Sequence, residues 1–304
     1  MPATISVRDL RKSYGSLAAV DGICFEVEQG EFFGILGPNG AGKTTTLEML
    51  EGLRQADSGA LSILGLPPWP RNPALLPRIG VQLQSSSFFE RLTVREQIRT
   101  FASLYGVASR RADEMLGVVG LDEQADVRTE KLSGGQAQRL SIACALVHDP
   151  ELVFMDEPTG ALDPQARRNL WDLLRQINAD GRTVVLTTHH MDEAETLCDR
   201  VAIMDHGKVL ELGPPAALVR GIDTPVRISI ESGLLAAADA TAMAAAAGSP
   251  GDVSDDGVSV TFATRQPAVV LSGLADRGAL AGLRVQGATL EDVFLRLTGR
   301  EYRA

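Results

Sequence analysis

Hydrophobic and polar positions near the start of the chain follow two different spacings. Residues 5–10 and 23–27 alternate apolar with polar side chains, which predicts half-buried strands at the edge of a sheet. Residues 32–36 form a nearly continuous apolar run that stops at Gly37, and a helical pattern follows at residues 44–53. This stretch therefore predicts a strand, a glycine loop and a helix, in that order.

Short apolar runs return in the middle of the chain. Residues 152–155 and 184–186 have the pattern of buried strands, and the helical pattern at residues 164–179 lies between them. The alternation of strand and helix predicts βαβ units and hence a parallel sheet. Residues 201–204 and 208–212 flank a polar turn, which predicts a hairpin that closes the sheet.

The change of pattern near residue 220 predicts two domains. The main domain spans residues 1–220 and includes a helical subdomain at about residues 85–150, where apolar side chains recur at helical spacing. Residues 221–304 form a smaller α+β domain, because two alternating stretches enclose an alanine-rich helix and Thr289 can cap a last helix. The Gly-, Ser- and Asp-rich residues 248–257 predict a surface loop.

Composition limits the possible partners and compartment. The 304 residues are 44% hydrophobic and carry a formal net charge of -10, which argues against a nucleic-acid partner, because such proteins cluster Lys and Arg. No apolar run reaches the roughly 20 residues that span a bilayer, and the start of the chain lacks the apolar core of a secretory signal. Since the three cysteines are far apart, we expect free thiols and a cytoplasmic location.

Residues 37–44 fit the phosphate-loop pattern G-x-x-x-x-G-K-[ST] and lie between a predicted strand and a predicted helix, which disfavours the alternative of a chance glycine turn. Glycines let backbone N–H groups point at phosphate oxygens, and the following helix adds its positive dipole end. Lys43 supplies a charge for the β- and γ-phosphates, and the Thr44 hydroxyl is a ligand for Mg²⁺. The predicted nucleotide contacts here are Gly37, Pro38, Asn39, Gly40, Ala41, Gly42, Lys43, Thr44 and Thr45.

Two carboxylates follow the apolar run at residues 152–155. Enzymes with parallel sheets place their chemistry at the carboxyl ends of the strands, where Asp156 and Glu157 lie. Asp156 is predicted to hold Mg²⁺, and Glu157 is predicted to orient or deprotonate the attacking water. A strand that ends in acidic residues is common by itself, but its combination with a phosphate loop favours nucleotide hydrolysis.

A second anion-binding helix start occurs at residues 132–136, Leu-Ser-Gly-Gly-Gln. The Ser133 hydroxyl and the amides of Gly134 and Gly135, followed by Gln136, precede an amphipathic helix. This pentapeptide is the distinguishing signature of the ATP-binding cassette (ABC) family, which the chain resembles from residue 5 to about residue 218. The resemblance implies an α/β fold with a RecA-like parallel core, an antiparallel edge sheet and a helical subdomain, to which a small C-terminal α+β domain is added.

The resemblance implies further site residues, each of which is weak evidence alone. Tyr14 matches the aromatic residue that stacks on adenine, and Asp163 lies in the loop that communicates across the dimer. Gln84 matches the glutamine that touches Mg²⁺ and water and senses the membrane partner, although Gln82 is a nearby alternative. His189 matches the histidine that contacts the γ-phosphate, with His190 beside it.

Family geometry also implies a second copy of the chain. Each ATP would lie between Lys43 of one copy and Ser133 of the other, so a homodimer would hold two intact sites. ATP and Mg²⁺ are the implied cofactors. The implied catalytic residues are Glu157, His189 and Gln84, and the implied metal ligands are Thr44, Gln84 and Asp156.

Residues 186–195 and 289–294 resemble the ABC-2-type exporters, which include the daunorubicin-resistance-type ATPases. This resemblance implies a separate polytopic permease, contact with the membrane only through that permease, and a peripheral location on the cytoplasmic face of the bacterial membrane. Phe88 and Phe89 either dock on the permease or are buried in the helical subdomain. The implied cargo is a drug, an antibiotic or a lipid-like solute. The alternatives are a non-transport ABC ATPase that acts as an assembly or regulatory factor, and an importer ATPase.

Overall fold

A computed structural model describes residues 3–82, 88–160, 162–249 and 252–299 of the chain. The chain divides into two compact units, the first running to Pro215 and the second beginning at Ala216. Within the described part of the chain, no helix combines the length and the apolar character that crossing a membrane requires.

The first unit is built on a central, mostly parallel sheet. Its strand order is β5-β6-β7-β3-β8-β9, and β9 pairs antiparallel with β8 while the other pairs are parallel. The predicted parallel sheet and closing hairpin are thereby confirmed. The strands of this unit are β1 (Ile5–Tyr14), β2 (Leu17–Val27), β3 (Phe32–Leu36), β4 (Ser58–Ile63), β5 (Ile79–Gln82), β6 (Leu152–Asp156), β7 (Thr183–Thr188), β8 (Arg200–Asp205) and β9 (Lys208–Gly213).

The register of the central strands creates the edge on which the site lies. Every residue of β3, β6 and β7 is buried, as expected of parallel strands covered on both faces. Asp156 at the end of β6 pairs with Thr187, and Leu36 at the end of β3 pairs with Thr188. The carboxyl ends of these three strands therefore meet at one edge of the sheet.

A second, antiparallel sheet has the order β2-β1-β4, which confirms the predicted antiparallel edge sheet. Its inward side chains share one hydrophobic core with the central sheet, as Ile5 and Ile23 do with Phe33 and Phe154. The rings of Phe25 and Phe33 stack across the two sheets with centroids 5.3 Å apart. This core fixes the antiparallel sheet, including the tip that bears Tyr14, against the phosphate loop side of the unit.

The helices of the first unit are α1 (Lys43–Leu50), α2 (Val94–Leu104), α3 (Ser109–Val119), α4 (Gly134–Leu146), α5 (Pro164–Ala179) and α6 (Met191–Leu197), and α7 (Pro215–Arg220) begins at its last residue. The helices α2, α3 and α4 pack on one another between β5 and β6 in the chain. Thr93 and Glu96 form a capping box that starts α2, and Arg99 of α2 pairs with Asp113 of α3 at 3.0 Å.

The second unit follows the order β-α-β-β-α-β, the split βαβ arrangement, with the antiparallel sheet order β11-β12-β10-β13. Ile228, Ile230 and Phe262 of the sheet are buried against Met243 and Leu274 of two helices. Its elements are β10 (Val226–Glu231), α8 (Ala237–Ala246), β11 (Val253–Asp255), β12 (Ser259–Thr264), α9 (Pro267–Asp276), β13 (Arg284–Gln286) and α10 (Leu290–Thr298).

Part of the sequence-based prediction for this unit is wrong. Residues 248–257 are not only a loop, because Val253–Asp255 pairs with β12 as the edge strand β11. The predicted cap is confirmed, since Thr289 and Asp292 form a capping box at the start of α10. Val293 and Phe294 are buried on this helix as predicted, whereas Leu297 is 39% exposed.

Candidate functional site

The phosphate loop begins where β3 ends and leads directly into α1. Two glycines in it are required by close backbone contacts: a Cβ on Gly37 would lie 2.3 Å from the carbonyl oxygen of Met204, and one on Gly42 would lie 2.2 Å from that of Ala19. Gly42 also has a φ of 102°, which side-chain-bearing residues rarely adopt. The loop can therefore curl tightly only with glycine at these positions.

Lys43 is the first residue of α1 and is 4% exposed. Its Nζ donates to the carbonyl oxygens of Gly37 at 2.8 Å and Pro38 at 3.2 Å, and lies 3.2 Å from Oε1 of Glu157. The ammonium group thus bridges the phosphate loop and the end of β6. It is placed to meet phosphate oxygens bound by the loop.

Asp156 is the last residue of β6 and is 4% exposed. Its Oδ1 accepts hydrogen bonds from the hydroxyl of Thr187 and, at 3.4 Å, from that of Thr44. Burial raises the pKa of Asp156, although the two hydroxyls act in the opposite direction. A hydroxyl and a carboxylate are the hard oxygen ligands that Mg²⁺ takes beside substrate phosphates, so Thr44 and Asp156 fit such an ion.

Glu157 is held in the left-handed backbone region, with a φ of 46°. Its N–H donates to the carbonyl and hydroxyl oxygens of Thr187 at 3.2 and 3.0 Å, which fixes this conformation. Oε1 lies 3.2 Å from Nζ of Lys43, and Oε2 lies 3.1 Å from Nδ1 of His189. Burial raises the pKa of Glu157, but Lys43 and His189 lower it by more, so the carboxylate is ionised and able to accept a hydrogen bond from water.

A cavity of about 520 Å³ is lined by eight of the predicted site residues. Its volume is in the range of small-molecule sites. Tyr14 lies at its rim, 42% exposed, with the guanidinium carbon of Arg54 5.3 Å from the ring centroid. The described residues that line it are Tyr14, Leu17, Ala18, Ala19, Asn39, Gly40, Gly42, Lys43, Thr44, Thr45, Glu157 and His206.

The signature residues lie elsewhere in the chain's own structure. Ser133 caps α4, accepting from the N–H of Gln136 at 3.3 Å, and donates its own N–H to the Gln136 side chain at 3.0 Å. Ser133 and Gly134 are exposed, and none of residues 132–136 is among the described residues lining the cavity. A Cβ on Gly135 would lie 3.5 Å from that of Ala166, so the signature packs beside the start of α5.

Asp163 is exposed and caps α5, accepting from the N–H groups of Gln165 at 2.9 Å and Ala166 at 3.0 Å. The ring of His189 lies next to that of His190, with centroids 4.1 Å apart, and it is His189 that approaches Glu157. Gln84 falls outside the described residues, so its expected contacts stay a prediction. The competing Gln82 is fully buried at the end of β5.

Sequence reasoning missed two contributors to the site. Thr187 is fully buried and supports both Asp156 and Glu157. His206, to which no role was assigned, lines the cavity and has a φ of 47°. The signal for Thr187 is a pair of threonines at the end of the buried run of β7, where hydroxyl groups need partners.

Comparisons with known proteins agree with the geometry. The ABC transporter family profile matches residues 20–160. The Nod factor export ATP-binding protein I of Cupriavidus metallidurans is 39% identical over 319 residues, covering 100% of both chains, and that of Rhizobium sp. (strain N33) is 40% identical over 303 residues, covering 98% of this chain and 97% of the relative.

Solved structures give the same result for the fold. The ATP-binding subunit of an ABC transporter has a TM-score of 0.65 at 29% identity and covers 72% of this chain and 92% of its own. An ATP-binding cassette in its ADP conformation has a TM-score of 0.64 at 23% identity, covering 70% and 92%, and supports the fold alone. The chain therefore belongs to the ABC transporter family, as an ATP-binding and ATP-hydrolysing subunit.

Proposed function

We propose that two copies of the chain hold each ATP between Lys43 of one copy and Ser133 of the other, and that Glu157 orients the water that attacks the γ-phosphate. The observation that carries this proposal is the position of the Glu157 carboxylate, 3.2 Å from Lys43 and 3.1 Å from His189, in the cavity that contains the phosphate loop. Because Lys43 and His189 lower the pKa of Glu157, the carboxylate is ionised, and its contacts with both residues hold it where a reacting water would lie.

Mg²⁺ would be held by the Thr44 hydroxyl and the Asp156 carboxylate, which already lie 3.4 Å apart. When bound, the ion would neutralise charge on the phosphates. Gln84 is proposed as a further ligand. Tyr14 would stack on the adenine from the rim of the cavity, since its ring is 42% exposed and already attracts the cation of Arg54.

The second copy would supply the signature residues, which do not line the cavity of their own chain. Ser133 and Gly134 lie at the exposed start of the 13-residue helix α4, outside the cavity of their own chain. Exposed N–H groups at a helix start form an anion site. They would close on a triphosphate held by the other copy, and Asp163, exposed at the start of α5, would lie between the two sites.

ATP binding would thereby favour the closed pair, and hydrolysis would remove the γ-phosphate contacts that hold it. The attached permease would be driven between two states by this population shift. The relatives are named for export, which favours export over the importer and non-transport alternatives. We propose a drug, an antibiotic or a lipid-like solute as cargo and a position on the cytoplasmic membrane face. Those relatives are named for Nod factor, so their names give no specific support for drug efflux.

The role of Glu157 is tested by Glu157→Gln, measured as steady-state hydrolysis and as ATP retained by the purified protein. We expect binding to persist and hydrolysis to fall about 10²–10⁴-fold, the usual contribution of general-base catalysis. Glu123→Gln, a change at an exposed glutamate of a 3₁₀ turn, is the matched control and should behave like the parent. A Glu157→Gln rate within roughly threefold of the parent would remove Glu157 from the mechanism.

Sharing of the site between copies is tested by mixing two defective forms in the Glu157→Gln background. Lys43→Ala removes the phosphate-loop cation, and Ser133→Arg blocks the signature. A mixed pair would combine the intact Lys43 of one form with the intact Ser133 of the other. We expect neither form alone to trap ATP and the mixture to trap it. If the mixture traps no more than the separate forms, the shared site is refuted.

A further inference from the structure

A buried carboxylate that has no part in the mechanism above lies on α6, close behind the site. Glu193 is 0% exposed. Its Oε1 accepts hydrogen bonds from the hydroxyl of Thr159 at 2.9 Å and from the indole N–H of Trp171 at 3.2 Å. Burial raises the pKa of Glu193, and the hydrogen bonds from Thr159 and Trp171 act against that rise. A carboxyl group buried this completely is expensive to keep without such partners.

The first donor, Thr159, lies in the turn that follows β6, and the second donor, Trp171, lies in α5. Thr159 lies two positions after Glu157 in a turn closed by hydrogen bonds from the N–H of Gly160 to the carbonyl of Glu157 at 3.3 Å and from that of Leu162 to the carbonyl of Thr159 at 3.1 Å. The same segment ends at Asp163, the cap of α5, and Trp171 lies two turns into that helix. Glu193 therefore bonds both to the turn after β6 and to the helix α5.

Glu193 lies on the segment that carries the proposed γ-phosphate contact. It follows His189 by four positions, on α6, which begins at Met191. Thr188 ends β7 directly before His189 and is 1% exposed. Its hydroxyl accepts from the N–H of His190 at 2.9 Å, and its carbonyl oxygen accepts from the N–H of Gly37 at 3.2 Å. The hydrogen bonds of Glu193 with Thr159 and Trp171 therefore connect the turn after β6 and α5 to the segment that carries His189.

We propose that Glu193 is a positioning residue for ATP hydrolysis, which holds the turn after Glu157 and the helix α5 in a fixed position relative to His189 through its hydrogen bonds with Thr159 and Trp171. The inference rests on the proposed roles of Glu157, Asp163 and His189. Glu193 is not among the described residues that line the cavity. It acts by holding two groups that face the same γ-phosphate in one fixed arrangement, and a displacement of about 1 Å between such groups can lower a rate about 10²-fold.

A merely structural role would predict a different kinetic result. A buried carboxylate that only stabilises the fold would, when removed, lower the free energy of unfolding and leave kcat per folded molecule unchanged. A positioning residue lowers kcat while KM for ATP stays nearly constant, because the nucleotide contacts of the phosphate loop remain. The split between kcat and KM therefore separates the two roles.

The test compares Glu193→Ala, Glu193→Gln and Thr159→Val, each checked for folding by circular dichroism, in the full chain with its permease. We expect Glu193→Ala to lower kcat about 10- to 100-fold with KM changed less than about threefold. Glu193→Gln, whose amide oxygen still accepts from Thr159 and Trp171, should recover most of the rate. Glu31→Ala is the matched control, since Glu31 is a buried carboxylate paired with Arg200 at the amino end of β3, and it should leave kcat unchanged.

A double-mutant cycle completes the test. If Thr159 acts through Glu193, the double variant should be no slower than Glu193→Ala alone. An unchanged kcat in Glu193→Ala, or additive effects in the cycle, overturns the proposal. If Glu193→Ala does not fold, Thr159→Val and Trp171→Phe are measured instead, and a lower kcat with a nearly constant KM for ATP supports the positioning role, whereas an unchanged kcat refutes it. Glu157→Gln measured in parallel distinguishes the failures: full activity of that variant refutes the proposed function, whereas its inactivity beside an active Glu193→Ala refutes the positioning role alone.

Discussion

Glu51 makes the stability of the first unit depend on pH in an unusual direction. It follows α1, is 4% exposed, and its Oε1 has no hydrogen-bond partner among the described residues. Burial raises the pKa of this carboxyl from 4.5 to about 8, with smaller contributions from the charges of Asp156 and Glu48. Glu51 is therefore protonated in the folded protein at neutral pH and ionised in the unfolded chain.

The direction in which stability changes with pH follows from the difference between the folded and unfolded pKa of Glu51. Because the folded pKa lies above the unfolded one, the contribution of Glu51 to stability is fully present below pH 4.5 and is lost as the pH rises through about 8. Between the two values the loss is about 1.4 kcal/mol per pH unit, or on the order of 4 kcal/mol from pH 5 to pH 8. The variant Glu51→Gln cannot ionise. It should match the parent at pH 5 within about 1 kcal/mol and exceed it by about 4 kcal/mol at pH 8.

Urea unfolding followed by tryptophan fluorescence measures the difference in unfolding free energy between Glu51→Gln and the parent, and it reports on the first unit of the chain. The sequence has 2 tryptophans, Trp69 and Trp171, and both belong to the first unit. The exposed Glu123→Gln is the matched control, and its stability should follow the parent at every pH. The reasoning is refuted if Glu51→Gln and the parent lose stability in parallel between pH 5 and pH 8, or if the variant's advantage is larger at the lower pH.

Two further predictions concern buried hydrogen bonds. Thr187→Val keeps the shape of the side chain but removes the hydroxyl that donates to Asp156. The same unfolding assay should show a loss of about 2 kcal/mol in unfolding free energy, and ATP hydrolysis should be slower. Thr187→Ser should largely restore both. In the second unit, burial raises the pKa of Asp292 but hydrogen bonds from Thr289 and Arg227 lower it by more, so its stabilisation is present above the unfolded pKa and lost as the pH falls through the folded one. Asp292→Asn should therefore speed hydrogen exchange of α10 at pH 7, and equal exchange in the two proteins would contradict this.

The part of the fold that could be predicted is the part in which local sequence and tertiary structure agree. The strand β3, the glycine loop and α1 appear directly as an apolar run, a break and a helical pattern. The strands β4, β5, β11 and β13 were not predicted. They are 3–6 residues long and contain Gly, Ser, Asp or Arg, which favour strands weakly. The strands β4, β5 and β13 pair with strands distant in sequence, whereas β11 pairs with the adjacent β12.

The candidate site divides in the same way. The phosphate loop and the signature are readable because chemistry constrains several consecutive residues. The supports behind them are single polar residues in ordinary segments: Glu193 meets Thr159 across 34 positions and Trp171 across 22. No local pattern identifies such partners. Each buried polar group needs a hydrogen-bond partner, and the structure shows that these groups supply partners to one another in one network.

The contacts of Lys43 also bear on how hydrolysis is timed. The ammonium group lies 3.2 Å from Glu157 and is one of the two groups that lower the pKa of that carboxyl. A triphosphate in the loop would draw the ammonium toward its β- and γ-oxygens and bring negative charge close to Glu157. Both changes raise the pKa of Glu157 and so make it a stronger base. We therefore expect bound ATP to raise the basicity of Glu157, because the phosphates would draw away the Lys43 ammonium group, which lowers the pKa of that carboxyl.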